Sequence, residues 1–308
     1  MKKIFQYSLF VLVGLVALTT LFFSIRQVLA NAQIKREGQV VPALVPGLET
    51  TSQLEILPLY EEASADESFD FGHGVSYLIH TDSATILMDI GNNPAESAQL
   101  PALQNMQTLG IAWEEIDAIV ISHPHPDHIG GVKAWQDNTL SFGDFTGDLS
   151  ELPIYVPTSI AYSGGTLIQS SEPTLVSKDI ATTGVISYPE VFPISLFTPK
   201  GHEQGLVIHV TGQGLVMITG CGHPTMERLV ARAEALFDEQ VVGVVGGLHY
   251  EKFSTEEVQP HIQFLEPRHP KLIALSPHDS SPEALAAFQS AFPEAYRSIQ
   301  IGEAIQFP

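Results

Sequence analysis

The stretch Val120-Ile121-Ser122-His123-Pro124-His125-Pro126-Asp127-His128-Ile129-Gly130-Gly131 constrains this chain more than any other. It sets three imidazoles and a carboxylate within six residues, directly after an apolar run at 116–121 that reads as a buried strand. Pro124 and Pro126 exclude a helix carrying ligands one turn apart. The stretch therefore reads as a tight loop leaving a strand end, with Asp127 and His128 opening the helix that follows Gly130 and Gly131. Imidazole nitrogen and carboxylate oxygen are ligands that suit zinc, iron or manganese. In so short a loop the side chains can diverge to two neighbouring ions, His123 and His125 holding one, Asp127 and His128 the other. A solvated His-rich surface loop would not need the preceding strand or the Gly-Gly after it.

A metal site needs ligands from elsewhere in the chain. Residues 84–90 read as a strand that ends in Asp89, a carboxylate that must find a partner at the end of an apolar run. A metal-bound imidazole, whose second N–H needs an acceptor, is that partner. Further on, the apolar runs 215–218, 241–245 and 271–275 end in Cys221 and His223, in His249, and in His278. His202 lies just before the strand 206–210. Ligand-type residues recurring after successive strands imply that one end of a sheet stack carries the site. The remaining elements are a strand at 54–60, a strand at 75–80, and helices at 95–109, from 224 to about 237, at 256–265 and at 282–292. The acidic stretch 61–70 reads as a solvated loop, and 136–190, rich in Gly, Ser, Thr and Pro around one apolar run at 152–156, as an irregular lid or substrate wall.

The N-terminus carries a different signal. Lys2 and Lys3 precede 22 residues without a charge, 4–25, and Arg26 closes the run. That is an export signal by its charged start and apolar middle, and it is long enough to span a bilayer. Ala30-Asn31-Ala32 resembles a cleavage site, but the length of the run favours an uncleaved anchor. The expected organisation is a signal peptide or anchor at 1–32, a linker at 33–52 and one domain at 53–308, with everything after residue 32 extracytoplasmic. A net charge of -21 repels phosphate backbones and argues against a nucleic-acid partner, leaving a small-molecule substrate and the membrane. A single cysteine excludes an intrachain disulfide framework.

His123-x-His125-x-Asp127-His128 followed by Gly-Gly resembles the signature of the metallo-β-lactamase fold superfamily. The resemblance implies an α+β fold, a four-layer αββα sandwich of two mixed sheets flanked by helices. By motif order, Pro199-Lys200-Gly201-His202 resembles the superfamily's third motif, Gly220-Cys221 stands where a bridging Asp is usual, and His278 resembles the fifth motif. Cys221 replaces the carboxylate, so His223 is the preferred ligand, with His202, Cys221 and His249 as second choices. Narrower elements at 72–79, 89–91, 203–208, 220–224 and 246–249 are similar to the dihydropterin-ribofuranosylaminobenzene phosphate synthase-like branch. That branch usually ends in His-Cys-Thr-Gly, whereas this chain has His278-Asp279-Ser280-Ser281.

These readings lead to a hydrolase with two divalent ions, expected to be zinc, with iron or manganese as alternatives. A metal-bound hydroxide would act on an ester, lactone or phosphoester small molecule. The expected ligands are His123, His125, Asp127, His128, His223 and His278, with Asp127 and His278 as catalytic residues and Asp89 behind the imidazoles. A mononuclear iron sulfur dioxygenase-like oxidoreductase keeps the same HxHxDH and is the alternative enzyme; a non-catalytic metal-binding relic is the third reading.

Overall fold

In the computed structural model, which describes residues 2–40, 43–191 and 193–308, strand residues point alternately to two different apolar neighbourhoods. Leu215 and Met217 of one strand pack towards helices, while Val216 and Ile218 between them face the opposite sheet. The same alternation in both sheets produces four layers.

The described chain forms two compact units, the N-terminal helix with Ser187–His202, and residues 43–186 with 203–308. In the larger unit, β1 (Leu54–Tyr60), β2 (Ser76–Thr81) and β3 (Thr85–Met88) form an antiparallel run with Ile56 opposite Ile79 and Ile79 opposite Ile86. Then α2 (Pro101–Thr108) leads to β4 (Ala118–Val120), α3 (Val132–Gln136), β5 (Pro153–Val156), β6 (Thr166–Gln169) and β7 (Ile180–Thr182). β8 (Ile186–Pro189) and β9 (Lys200–Glu203) pair with each other. The chain continues through β10 (Leu206–Val210), β11 (Gly214–Thr219), α4 (Met226–Phe237), β12 (Val241–Gly246), α5 (Thr255–Leu265), β13 (Leu272–Leu275), α6 (Pro282–Ala291) and β14 (Ile305–Gln306). The first sheet runs β14-β1-β2-β3-β4-β5-β6 and the second β13-β12-β11-β10-β7, both with parallel and antiparallel pairs.

Between the sheets lies a core of Ile56, Tyr77, Ile79, Ile86, Val120, Ile208, Ile218 and their neighbours. A second core joins the first sheet to α2 and α3, a third joins the second sheet to α4, α5 and α6. This is the mixed α+β, four-layer arrangement of the metallo-β-lactamase fold. Its helices start where the chain supplies caps. Ser254 accepts from the Glu257 amide, and Glu257 reaches back to the Ser254 amide. Ser281 caps α6, whose first residue is Pro282.

Several local expectations change. α1 (Lys2–Glu37) runs through residues 33–37, the start of the expected linker. The helix expected after Gly130 and Gly131 begins at Val132, with Asp127 and His128 in the turn 126–130 that precedes it. The helix expected at 95–109 begins only at Pro101. The stretch 136–190, expected to be irregular around one run, contributes β6, β7 and β8 as well as β5. Each is only 3 or 4 residues long, too short for periodicity to reveal. By length and composition α1 can cross a membrane: its apolar window is 0% buried.

Candidate metal centre

β3 and β4 run parallel, as do β11, β12 and β13. Their C-terminal ends deliver Asp89, residues 122–128, residues 220–223, residues 248–249 and residues 278–279. Asp89 follows β3 directly and turns the chain in the left-handed region, φ 57°. Its carboxylate takes three donors, all buried. The Ser122 amide and hydroxyl donate at 2.7 Å each, and His128 Nδ1 donates at 2.7 Å. With its proton committed to Asp89, the Ser122 hydroxyl oxygen is left to accept from His123 Nδ1 at 2.9 Å. One carboxylate thus orients two imidazoles, one directly and one through Ser122, and turns the Nε2 of each away from itself.

Two groups of ligand-type atoms result, the members of each lying within 4.8 Å of one another. One comprises Asp127, His128, Cys221 and His278; the other comprises His123, His125 and His223. Asp127 Oδ2 is 3.1 Å from His278 Nε2 and 3.6 Å from His128 Nε2, and Cys221 Sγ is 3.0 Å from His128 Nε2. His123 Nε2 is 3.1 Å from His125 Nδ1. Cys221 and His223, read from the sequence as alternatives for one place, fall in different groups. The His249 ring centroid lies 4.6 Å from that of His223, the two rings tilted by 53°, and His249 is in neither group. His202 lies on β9 in the smaller unit and is in neither group. A third set, Glu62, His73 and His278, shares His278 and is mostly exposed.

The donors fit divalent cations. Imidazoles with one carboxylate and one thiol are a zinc- or iron-type set. His278 faces this set with Nε2, 3.1 Å from Asp127 Oδ2 and 3.6 Å from Cys221 Sγ.

Charge within the site follows from burial. Burial and the neighbouring rings of His128 and His125 hold His123 well below its usual pKa, and burial with His125 does the same for His223. Both therefore keep a lone pair at neutral pH. Burial also opposes charge on His128, but Asp89 and Asp127 outweigh it and lift His128 to about 9. Burial would raise Asp127, yet the charges of His128 and His278 hold it far below the carboxylate range. Burial and the surrounding carboxylates push the Cys221 thiol well up.

Two further buried carboxylates hold the ligand loops. Glu203 accepts from the Cys221, Gly222 and His223 amides at 3.2, 2.8 and 2.8 Å and from the Thr219 hydroxyl at 2.9 Å. Glu61 accepts from the His278 amide at 2.9 Å, the Ser276 hydroxyl at 2.6 Å and the Tyr77 hydroxyl at 2.8 Å. Glu61 is 0% exposed, so the solvated acidic loop read at 61–70 does not include its first residue. Asp279, next to His278, accepts from the Leu248 and His249 amides and is lifted by burial to about 8. Neither Glu61 nor Ser122 carried a signal in the sequence. For Glu203 the signal was its place beside Gln204 before an apolar strand. Gly220 is required by packing: a Cβ there would lie 2.2 Å from Ser122 Oγ and 3.1 Å from Asp89 Oδ2.

Comparison with known proteins agrees with the fold. Residues 69–139 match the family model described as the metallo-beta-lactamase superfamily. A curated relative, the 7,8-dihydropterin-6-methyl-4-(beta-D-ribofuranosyl)-aminobenzene-5'-phosphate synthase of Methanocaldococcus jannaschii, is 27% identical over 296 residues, covering 82% of this chain and 97% of the relative. Among solved structures, a metal-dependent hydrolase of the beta-lactamase superfamily superposes with TM-score 0.59 at 21% identity, covering 82% of this chain and 98% of its own. The metallo-beta-lactamase fold protein YhfI from Bacillus subtilis superposes with TM-score 0.52 at 15% identity, covering 83% and 99%. Fold, family model and curated relative together make this a metallo-β-lactamase-fold chain that resembles the dihydropterin-ribofuranosylaminobenzene phosphate synthase-like branch of that superfamily.

Proposed function

We propose that this protein is a metal-dependent hydrolase of a small ester, lactone or phosphoester, with two divalent ions, preferably zinc. The observation that carries the reading is the pair of ligand groups built around one orienting carboxylate. His123, His125 and His223 would hold one ion, and Asp127, His128, Cys221 and His278 the other. Two sites favour a binuclear centre over a single iron. Bound cations would supply a water of lowered pKa and polarise the substrate oxygen.

The chain's own residues do the rest. Asp127 Oδ2, at 3.1 Å from His278 Nε2, is placed to orient the attacking water and take up its proton. His278, buried with its amide fixed by Glu61, would hold an ion beside Asp127, and the proton that Asp127 takes up is the one passed to the leaving oxygen. Asp89 holds the two rings that must not rotate. The substrate of the M. jannaschii relative is not carried over. Where its branch has Cys-Thr-Gly after the last His, this chain has Asp279-Ser280-Ser281, and Asp279 is committed to the 248–249 amides.

The test is turnover of a nitrophenyl ester, a lactone and a nitrophenyl phosphodiester by the full chain, before and after chelation. Activity on at least one of them should vanish with chelator, return with zinc or manganese, and be lost in His123→Ala together with bound metal. Full activity in His123→Ala would contradict the reading.

A further inference from the structure

The smaller unit contains more than the N-terminal helix. The described residues between β8 and β9, 190–191 and 193–199, form an arm that lies along α1 and is tied to it at two levels. At the base, Lys200 Nζ is 2.9 Å from Glu37 Oε1. At the tip, the Arg26 guanidinium donates to the carbonyls of Leu196 and Phe197, both at 3.0 Å, while lying 5.6 and 5.8 Å from the ring centroids of Phe22 and Phe23. The two helix positions are eleven residues apart, about 16 Å along the axis. The arm therefore extends back along the helix towards its apolar part.

Arg26 marks the end of the uncharged run 4–25, the level at which a spanning helix meets the headgroups. The arm's tip is fixed at that same level and has no charged residue from 191 to 199. Two of its large apolar side chains face outward: Val191 is 53% and Phe197 76% exposed. The helix beside them is equally uncovered, with Leu18, Leu21 and Phe22 all more than half exposed. An uncharged tip continuous with an uncovered apolar helix, and polar ties on the water side, match a bilayer surface.

We propose that the 190–199 arm is a second membrane contact, seating Val191 and Phe197 among acyl chains just below the headgroups beside the anchor. The inference rests on the reading of α1 as an anchor. It also requires that residues 26–37 stay on the mature chain, since cleavage near Ala30 would remove Arg26.

The experiment reconstitutes the full chain carrying Phe197→Trp into phosphatidylcholine vesicles, with and without lipids brominated on the upper acyl chain. The parent's two tryptophans give the baseline. The added emission should be shifted to shorter wavelength and most of it lost in brominated vesicles. A protein that floats with vesicles but whose added emission stays water-like overturns the arm contact and leaves the anchor standing. A shifted but unquenched emission assigns the tip to a second copy of the chain and also overturns it. Failure to float overturns the anchor reading and the inference together. Val191→Trp, on the other limb of the arm, repeats the measurement if Phe197→Trp does not fold.

Discussion

Asp89 takes three buried donors, and two of them govern imidazoles in different ligand groups. Asp89→Asn leaves a side chain of the same shape but a poorer acceptor for His128 Nδ1. Metal affinity should fall about 10–100-fold, by chelator competition, with the fold retained; an unchanged affinity would mean that Asp89 only shapes the turn. The protonation of His128 sets a second expectation. Without metal its pKa is about 9, above the ordinary value of 6.5, so the ring holds a proton through neutral pH. A raised pKa adds stability that is complete below 6.5 and lost as pH rises through about 9. Asp279, lifted from 3.8 to about 8, acts in the same direction, because the folded state holds its proton more tightly. The chelated protein should therefore lose thermal stability from about pH 6.5 to 9. Metal uptake should release protons at pH 7, giving a heat of binding that depends on the buffer's ionisation enthalpy. A pH-independent melting point in chelator would contradict the charge assignment.

At the scale of elements, the ligand loops depend on the strands before them and on carboxylates that reach in from other strands. Glu203 belongs to β9 yet fixes the three amides after β11. Glu203→Ala would leave those buried amides without their acceptor. About 3 kcal/mol should be lost, which lowers the melting point by about 6–12 °C in a domain of this size. A shift of less than a degree or two would show the loop to be held by other contacts. These clamps also mark the limit of what the sequence discloses. The loop at 123–128 stood out in the sequence because its candidate ligands are contiguous and follow a strand. Cys221, His223 and His278 were legible because each follows an apolar run. Glu61 was not: it stands at the head of an acidic stretch, and only tertiary contact with Ser276 and His278 shows that it is buried. Ser122 was hidden for the same reason, since its role lies in a bond to Asp89, 33 residues away.

At the scale of the whole molecule, the two-sheet sandwich was implied by the resemblance that the signature loop carries, while the recurrence of candidate ligand residues after strands pointed only to one end of a sheet stack. The strands β6 to β8 and the arm at 190–199 could not be read from the sequence, because they are short and Gly-, Ser- or Pro-interrupted. What the fold accomplishes is to bring the ends of two sets of parallel strands, far apart in sequence, to one pair of candidate ligand groups. The most direct test of that claim is the metal content of the purified full chain, by elemental analysis after reconstitution and desalting. Two divalent ions per chain, falling to one or none in His123→Ala, is the result expected. A folded chain that retains no metal after reconstitution would contradict the account.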